Sequence, residues 1–337
     1  MIISQYPLTE PKVIERRFRD ISFGEGVIVR PQYLSVCKAD LRYFLGQRDH
    51  KVLREKLPLV LIHEACGSVV YDNSGKLAAG TKVVMLPNIP GKDSPVAENY
   101  RLDSRFRSSK ADGFLQELLV LDEGQVVPYN NIPHNIAAFS ELISVGVHAV
   151  ESFKQRVKTS VERLALWGDG SVGYIVACLL KKYFPKAELS VIGVQPGRLA
   201  LFSMADNVIL TDKLISQNCF DHCFECVGGQ ASGNAVNQII DTIRPEGVIS
   251  LLGVSEEPVP VNTRMVLEKG LTLLGRSSSR REDFIQAIDF MESDEEFVNR
   301  LSLLVSDEVV VDSIDSLETA FDVARSSDFK TILKWEL

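Results

Sequence analysis

The rhythm of apolar and polar positions changes along the chain. Up to about residue 146, apolar residues come in short β-branched runs bounded by Gly or Pro, such as Val27-Ile28-Val29-Arg30-Pro31 and Thr81-Lys82-Val83-Val84-Met85. Runs of this kind predict a strand-rich, barrel-like domain. Between residues 86 and 113, ionisable side chains crowd around Pro87, Pro90 and Pro95, which predicts a long, exposed surface excursion. The period then lengthens. Ile136, Ala137, Phe139, Leu142, Ile143, Val147 and Val150 share one face of a helix over about 136 to 153. From 164 to about 276, six short apolar runs alternate with helical stretches: Leu164–Trp167, Leu189–Ile192, Asn207–Leu210, His222–Cys226, Val248–Leu252 and Leu271–Leu274. That alternation is the pattern of a doubly wound α/β unit. Pro185 and Pro245 close two of its helices. Beyond 280 come an amphipathic helix (Phe284, Ile285, Ile288, Met291), a strand at Val309-Val310-Val311 and a second helix around Leu317, Ala320 and Phe321, with a tail expected to return to the first domain.

Where the first strand of the α/β unit ends, the chain reads Gly168-Asp169-Gly170-Ser171-Val172-Gly173. The glycines fit Gly-x-Gly-x-x-Gly: the first for a sharp turn, the second for backbone approach to a pyrophosphate, the third for packing of helix on strand. Such a match alone is compatible with an accidental turn, and the strand before and helix after supply its context. The helix start then offers N–H groups to phosphates. Cofactor choice is read after the second strand, where NAD binders place an acid for the ribose hydroxyls. Here the stretch is Gly193-Val194-Gln195-Pro196-Gly197-Arg198. With no acid present, and with Arg198 suited to a 2′-phosphate and Gln195 able to assist, NADP(H) is favoured over NAD(H).

Bulk properties narrow the setting. At 337 residues, two domains of roughly 150 residues each are expected. Lys and Arg number 37 against 45 Asp and Glu, a net charge of −8 with no basic stripe, which argues against a nucleic-acid surface. Apolar runs fall short of a membrane span, and the N-terminus has no secretory pattern, so a cytoplasmic location is expected. The 6 cysteines are scattered, and a reducing compartment is the simpler reading. Cys223-Phe224-Glu225-Cys226 falls in a strand, where residues three apart face opposite sides, and is set aside as a site.

Cys37, His63, Glu64 and Glu141 lie in otherwise apolar neighbourhoods. Thiolate, imidazole and carboxylate are ligand types for a catalytic zinc, but their separations are long, and from spacing alone isolated core residues are the default reading. A resemblance adds to this. Ser35-Val36-Cys37-Lys38-Ala39-Asp40, Leu61-Ile62-His63-Glu64-Ala65-Cys66-Gly67 and Ser140-Glu141-Leu142-Ile143-Ser144-Val145-Gly146-Val147-His148-Ala149, succeeded by the glycine loop, resemble the zinc-dependent medium-chain dehydrogenases in order and over the whole length. Within that family, Cys37-Lys38-Ala39-Asp40-Leu41-Arg42-Tyr43-Phe44, Ala97-Glu98-Asn99-Tyr100, Phe106-Arg107-Ser108-Ser109 and Trp167-Gly168-Asp169-Gly170 look like ribulose-5-phosphate reductases.

The resemblance implies an α/β fold in which a β-rich, GroES-like catalytic domain (1–146 and 284–337) flanks a Rossmann cofactor domain (147–283). It implies a zinc held by Cys37, His63 and Glu141, with Asp40 orienting His63 and Glu64 adjusting or transiently entering the metal shell. Lys330 falls where relatives place a basic residue against the pyrophosphate. The loop before residue 113 has no Cys, so no structural zinc is expected. Ala39 and Arg42 stand where relatives have the hydroxyl and histidine of a proton relay, which leaves Arg42 for a substrate phosphate, with Arg107 a second candidate.

The implied activity is NADPH-dependent reduction of D-ribulose 5-phosphate to D-ribitol 5-phosphate. This would feed CDP-ribitol and wall polymers, in a homodimer that works with a cytidylyltransferase. The alternatives are a dehydrogenase of an unphosphorylated polyol such as sorbitol or xylitol, and a non-catalytic NADP-binding protein.

Overall fold

The computed structural model describes residues 1–22, 26–214 and 220–337. The chain forms two units, residues 1–144 with 279–337, and residues 145–278. The first is built on a seven-stranded sheet. From one edge its strands are Val126–Pro128, Lys82–Met85, Glu64–Asp72, Val27–Ser35, Lys330–Trp335 and Val305–Val311, with Leu119–Leu121 also paired to Val27–Ser35. Val27–Ser35 is the hub because its β-branched and apolar positions Val27, Ile28, Val29 and Leu34 are all buried. The register at its end brings distant parts of the chain together: Ser35 pairs with Glu64 on one side and with Ile332 on the other. Val305–Val311 and Lys330–Trp335 run parallel, joined by the helix Ile314–Ser326. That helix buries Leu317, Ala320, Phe321 and Ala324, one face at helical spacing, and Phe321 stacks on Phe44 at 4.5 Å.

Two expectations change here. The helix read over 136 to 153 is two, His134–Ala137 and Ser140–Arg156, and the Ser140 hydroxyl donates to the Ala137 carbonyl at the break. The excursion between 86 and 113 is exposed over residues 92–97, but it turns inward near its end, where Ser108 is buried.

The second unit is a sheet of six parallel strands in the order Asn207–Leu210, Glu188–Gly193, Arg163–Trp167, His222–Glu225, Val248–Leu251 and Thr272–Gly275. Leu164, Ala165, Leu166 and Trp167 of the central strand are buried together, as a parallel strand covered on both faces requires. The order reverses around that strand, and in such sheets ligands bind at the carboxyl ends of the strands at this switch point. Among the described residues, no helix is long and apolar enough to cross a membrane.

Candidate active site

Cys37 is the N-cap of the helix Lys38–Phe44, and Asp40 sits at its third position, accepting from the Cys37 N–H at 3.2 Å. A carboxylate in the first turn suits the positive end of the helix. The other Asp40 oxygen, Oδ1, accepts from the Ile62 N–H at 3.2 Å, from His63 Nδ1 at 3.2 Å and from the Ser108 hydroxyl at 2.5 Å. This explains the buried end of the excursion: Ser108, in a left-handed turn at φ 61°, is drawn inward onto Asp40. Ile62 is also left-handed, at φ 69°, a costly conformation for a β-branched residue, and the bond from its N–H to Asp40 helps hold it. The result fixes His63 by its Nδ1 and leaves its other ring nitrogen for a ligand. Phe106 packs against the imidazole at 5.4 Å.

The charges here act on one another. Burial pushes the Asp40 carboxyl up, but the His63 charge and hydrogen bond, the Ser108 hydroxyl and the Cys37 amide outweigh it and hold Asp40 below its usual range. Burial lowers the His63 pKa, yet Asp40 and Cys37 raise it well above 6.5. A cation on His63 therefore has to displace a proton that the protein favours, so its binding tightens with rising pH. Glu141, at the start of the helix Ser140–Arg156, is pushed up to about 7, chiefly by burial and further by Glu64 and Asp40, against the pull of His63 and Lys330.

Cys37, Asp40 and His63 place one donor atom each within 4.8 Å of one another, and so do His63, Glu64 and Glu141. Sulfur, imidazole nitrogen and carboxylate oxygen, all on buried or half-buried residues, form a donor set that fits zinc. Glu64 is already engaged: both its oxygens accept from the Lys330 ammonium, at 2.7 and 2.6 Å, and both side chains are almost fully buried. The sheet register produces this pair, since Ser35 lies between Glu64 and the incoming strand Lys330–Trp335, and Val36 N–H bonds to the Thr331 carbonyl. Lys330 thus has Glu64 as its partner, where the resemblance implied a phosphate.

In the second unit, the glycines divide their work. Gly168 has φ 122°, and a Cβ there would meet the Cys226 carbonyl oxygen at 2.7 Å. A Cβ on Gly173 would lie 2.0 Å from the Gly168 carbonyl oxygen, so the close packing of turn and helix requires glycine. A Cβ on Gly170 would meet nothing within 4 Å. That open side lies at the N-cap of the helix Ser171–Tyr183, which no side chain caps, so the turn fits a pyrophosphate. Ser171 and Val172 open that helix. Asp169 turns away from this space: its Oδ2 accepts from the Val194 and Gln195 N–H groups at 2.8 and 2.7 Å, fixing the turn into the short helix Pro196–Leu199 that carries Arg198.

Arg42 is half-buried in the last turn of Lys38–Phe44. Arg107 lies against the Phe114 ring and donates to the Asp112 carbonyl, with its pKa lowered to about 10 mainly by burial and by Arg19. Cys223 and Cys226 are buried thiols whose pKa values burial pushes far up. Three features had no sequence signal of their own: Ser108 on Asp40, Lys330 on Glu64, and Lys56, whose ammonium donates to Tyr43 Oη at 3.1 Å and Ser109 Oγ at 3.2 Å.

Residues 24–133 match the alcohol dehydrogenase GroES-like domain and residues 142–293 the zinc-binding dehydrogenase domain. Ribulose-5-phosphate reductase 1 of Staphylococcus aureus (strain NCTC 8325 / PS 47) is 44% identical over 99% of this chain and 99% of its own. Ribulose-5-phosphate reductase of Bacillus spizizenii (strain ATCC 23059 / NRRL B-14472 / W23) is 41% identical over 100% of both. A crystal structure of S. aureus TarJ in complex with NADPH superposes with a TM-score of 0.90 at 40% identity, covering 100% of both chains.

Proposed function

Because the chain belongs to the zinc-binding dehydrogenases with an alcohol dehydrogenase GroES-like domain, we propose that it reduces D-ribulose 5-phosphate to D-ribitol 5-phosphate with NADPH and one catalytic zinc. The observation that carries this reading is identity of 44 and 41% over essentially the full length to two proteins named ribulose-5-phosphate reductase. Cys37, His63 and Glu141 would hold the metal. Bound there, zinc supplies Lewis-acid polarisation of the ketone, and NADPH supplies the hydride.

The chain's own residues set the conditions. Asp40 fixes the His63 tautomer and orientation. Lys330 neutralises Glu64 and aims its carboxylate at an ammonium, which leaves Glu141 as the carboxylate ligand. Ala39 has no hydroxyl to relay a proton, so the proton completing the alcohol comes from water. Gly170 and the uncapped helix behind it receive the pyrophosphate, while Gln195 and Arg198 receive the 2′-phosphate.

The edge strand Thr272–Gly275 leaves Leu273 40% exposed, and nearby Leu267 is 80% exposed, which supports a homodimer formed by continuing the sheet. The product would feed a cytidylyltransferase making CDP-ribitol for wall polymers, in the cytoplasm. The test monitors NADPH absorbance with ribulose 5-phosphate, ribulose, sorbitol and xylitol, and with NADH in parallel. Turnover should favour ribulose 5-phosphate and NADPH. Equal or better turnover of the unphosphorylated sugars would overturn the reading.

A further inference from the structure

Lys56 ends the helix His50–Lys56, and its half-buried ammonium has no carboxylate among the described residues. It meets only the Tyr43 hydroxyl, the Ser109 hydroxyl and, at 5.8 Å, the Tyr43 ring. A second cation, the Arg48 guanidinium, lies 4.8 Å from the same ring. Both place positive charge beside the Tyr43 ring, a setting that suits an anionic group.

The donors are also unspent. An ammonium has three N–H groups and no acceptor, so at both hydroxyls Lys56 donates and the oxygen accepts. Tyr43 and Ser109 keep their own O–H groups, which donate to nothing among the described residues, and Lys56 keeps its third N–H. Three donors thus surround one point and one of them is charged, which is what a phosphate oxygen takes.

The place of this cluster gives it meaning. Tyr43 is on the helix Lys38–Phe44, whose N-terminal end supplies Cys37 and Asp40. Ser109 adjoins Ser108, whose hydroxyl holds Asp40, and Phe106 of the same turn packs on His63. The helix Lys38–Phe44 and the turn of Phe106 to Ser109 therefore supply Tyr43 and Ser109 to the cluster as well as Cys37, Asp40 and Ser108 to the metal site, so the elements that hold the metal donors also hold two of the cluster's three donors. Arg107 lies against Phe114 and donates to the Asp112 carbonyl through one terminal nitrogen, while its buried Nε meets no partner among the described residues.

We propose that Lys56, Tyr43 and Ser109 form the subsite for the phosphate monoester of the substrate, with Arg48 at its rim. The proposal rests on the assignment of the substrate as a ketose phosphate. The experiment uses the full-length, metal-loaded enzyme and two probes. Lys56→Met should lower the ratio of kcat/KM for ribulose 5-phosphate over ribulose by about 10- to 100-fold, the loss expected for one hydrogen bond to a charged group. Lys56→Arg should recover part of it, and Ser109→Ala should give a smaller loss in the same direction. Calorimetric titration with inorganic phosphate should show binding to wild type that weakens in Lys56→Met. A ratio and a phosphate affinity both unchanged in Lys56→Met and Ser109→Ala would overturn the proposal. Failure of the wild type to prefer the phosphorylated ketose would instead overturn the assigned reaction, and the phosphate titration would still decide the subsite.

Discussion

Asp40 serves four partners with one carboxylate: the Cys37 and Ile62 N–H groups, the His63 ring and the Ser108 hydroxyl. Replacing it by Asn keeps the shape but removes the charge and one acceptor oxygen. Zinc affinity of Asp40→Asn should fall about 10- to 100-fold, as measured by competition with a chromophoric chelator. Unchanged affinity would mean that packing alone orients His63. At this scale the sequence was unevenly informative. Cys37, His63 and Glu141 stood out because ionisable groups in apolar runs need partners, and the resemblance supplied the partnership. The contacts of Ser108, Lys330 and Lys56 did not, because they span 68, 266 and 53 positions and a serine or lysine carries no periodicity of its own; the resemblance singled out Lys330 but pointed it to a phosphate, not to Glu64.

The strand, turn and helix around Gly168–Gly173 form an element in which binding and stability can be separated. Gly173→Ala drives a Cβ to 2.0 Å from a carbonyl oxygen, so backbone must move, at a cost of about 1–3 kcal/mol. Gly170→Ala meets no protein atom and should cost under about 1 kcal/mol. Thermal melts should therefore find Gly170→Ala near wild type and Gly173→Ala well below it, while fluorescence titration shows weaker NADPH binding in Gly170→Ala. Normal NADPH affinity in Gly170→Ala would place the pyrophosphate elsewhere. Periodicity located all six strands of this unit: the four inner strands are buried along most of their length, and the largely exposed edge strands Asn207–Leu210 and Thr272–Gly275 still carry short apolar runs. It missed the break at residues 138–139, where a serine hydroxyl, invisible to a hydrophobic pattern, interrupts the helix.

On the scale of the whole molecule, pH reports on the second unit through His222. Its Nδ1 accepts from the Val248 N–H, and its Nε2 faces the Ser160 carbonyl and the Thr159 hydroxyl, so the neutral ring satisfies both sides. Burial lowers its pKa, with the Ser160 carbonyl and Asp221 partly opposing. The folded state disfavours the proton that the unfolded chain takes up near 6.5. Stability present above that pH is therefore lost as pH falls through the lower folded value. The Tm should drop as pH falls below about 6.5, and His222→Gln should show a shallower drop; equal slopes would exclude this source. The two-unit organisation was legible because the rhythm of the chain changes. The return of the tail was legible only as an expectation, because the sheet position of Lys330–Trp335 depends on a strand some 300 residues earlier. That return has a consequence for synthesis. On the ribosome, Cys37, His63, Glu64 and Glu141 have all emerged, and the whole of residues 145–278 can collapse, before Lys330 is made. Until Lys330 is made, Glu64 lacks the ammonium that both its oxygens accept from, so a chain stopped short of Lys330 would bring that carboxylate to the metal donors without its ion-pair partner.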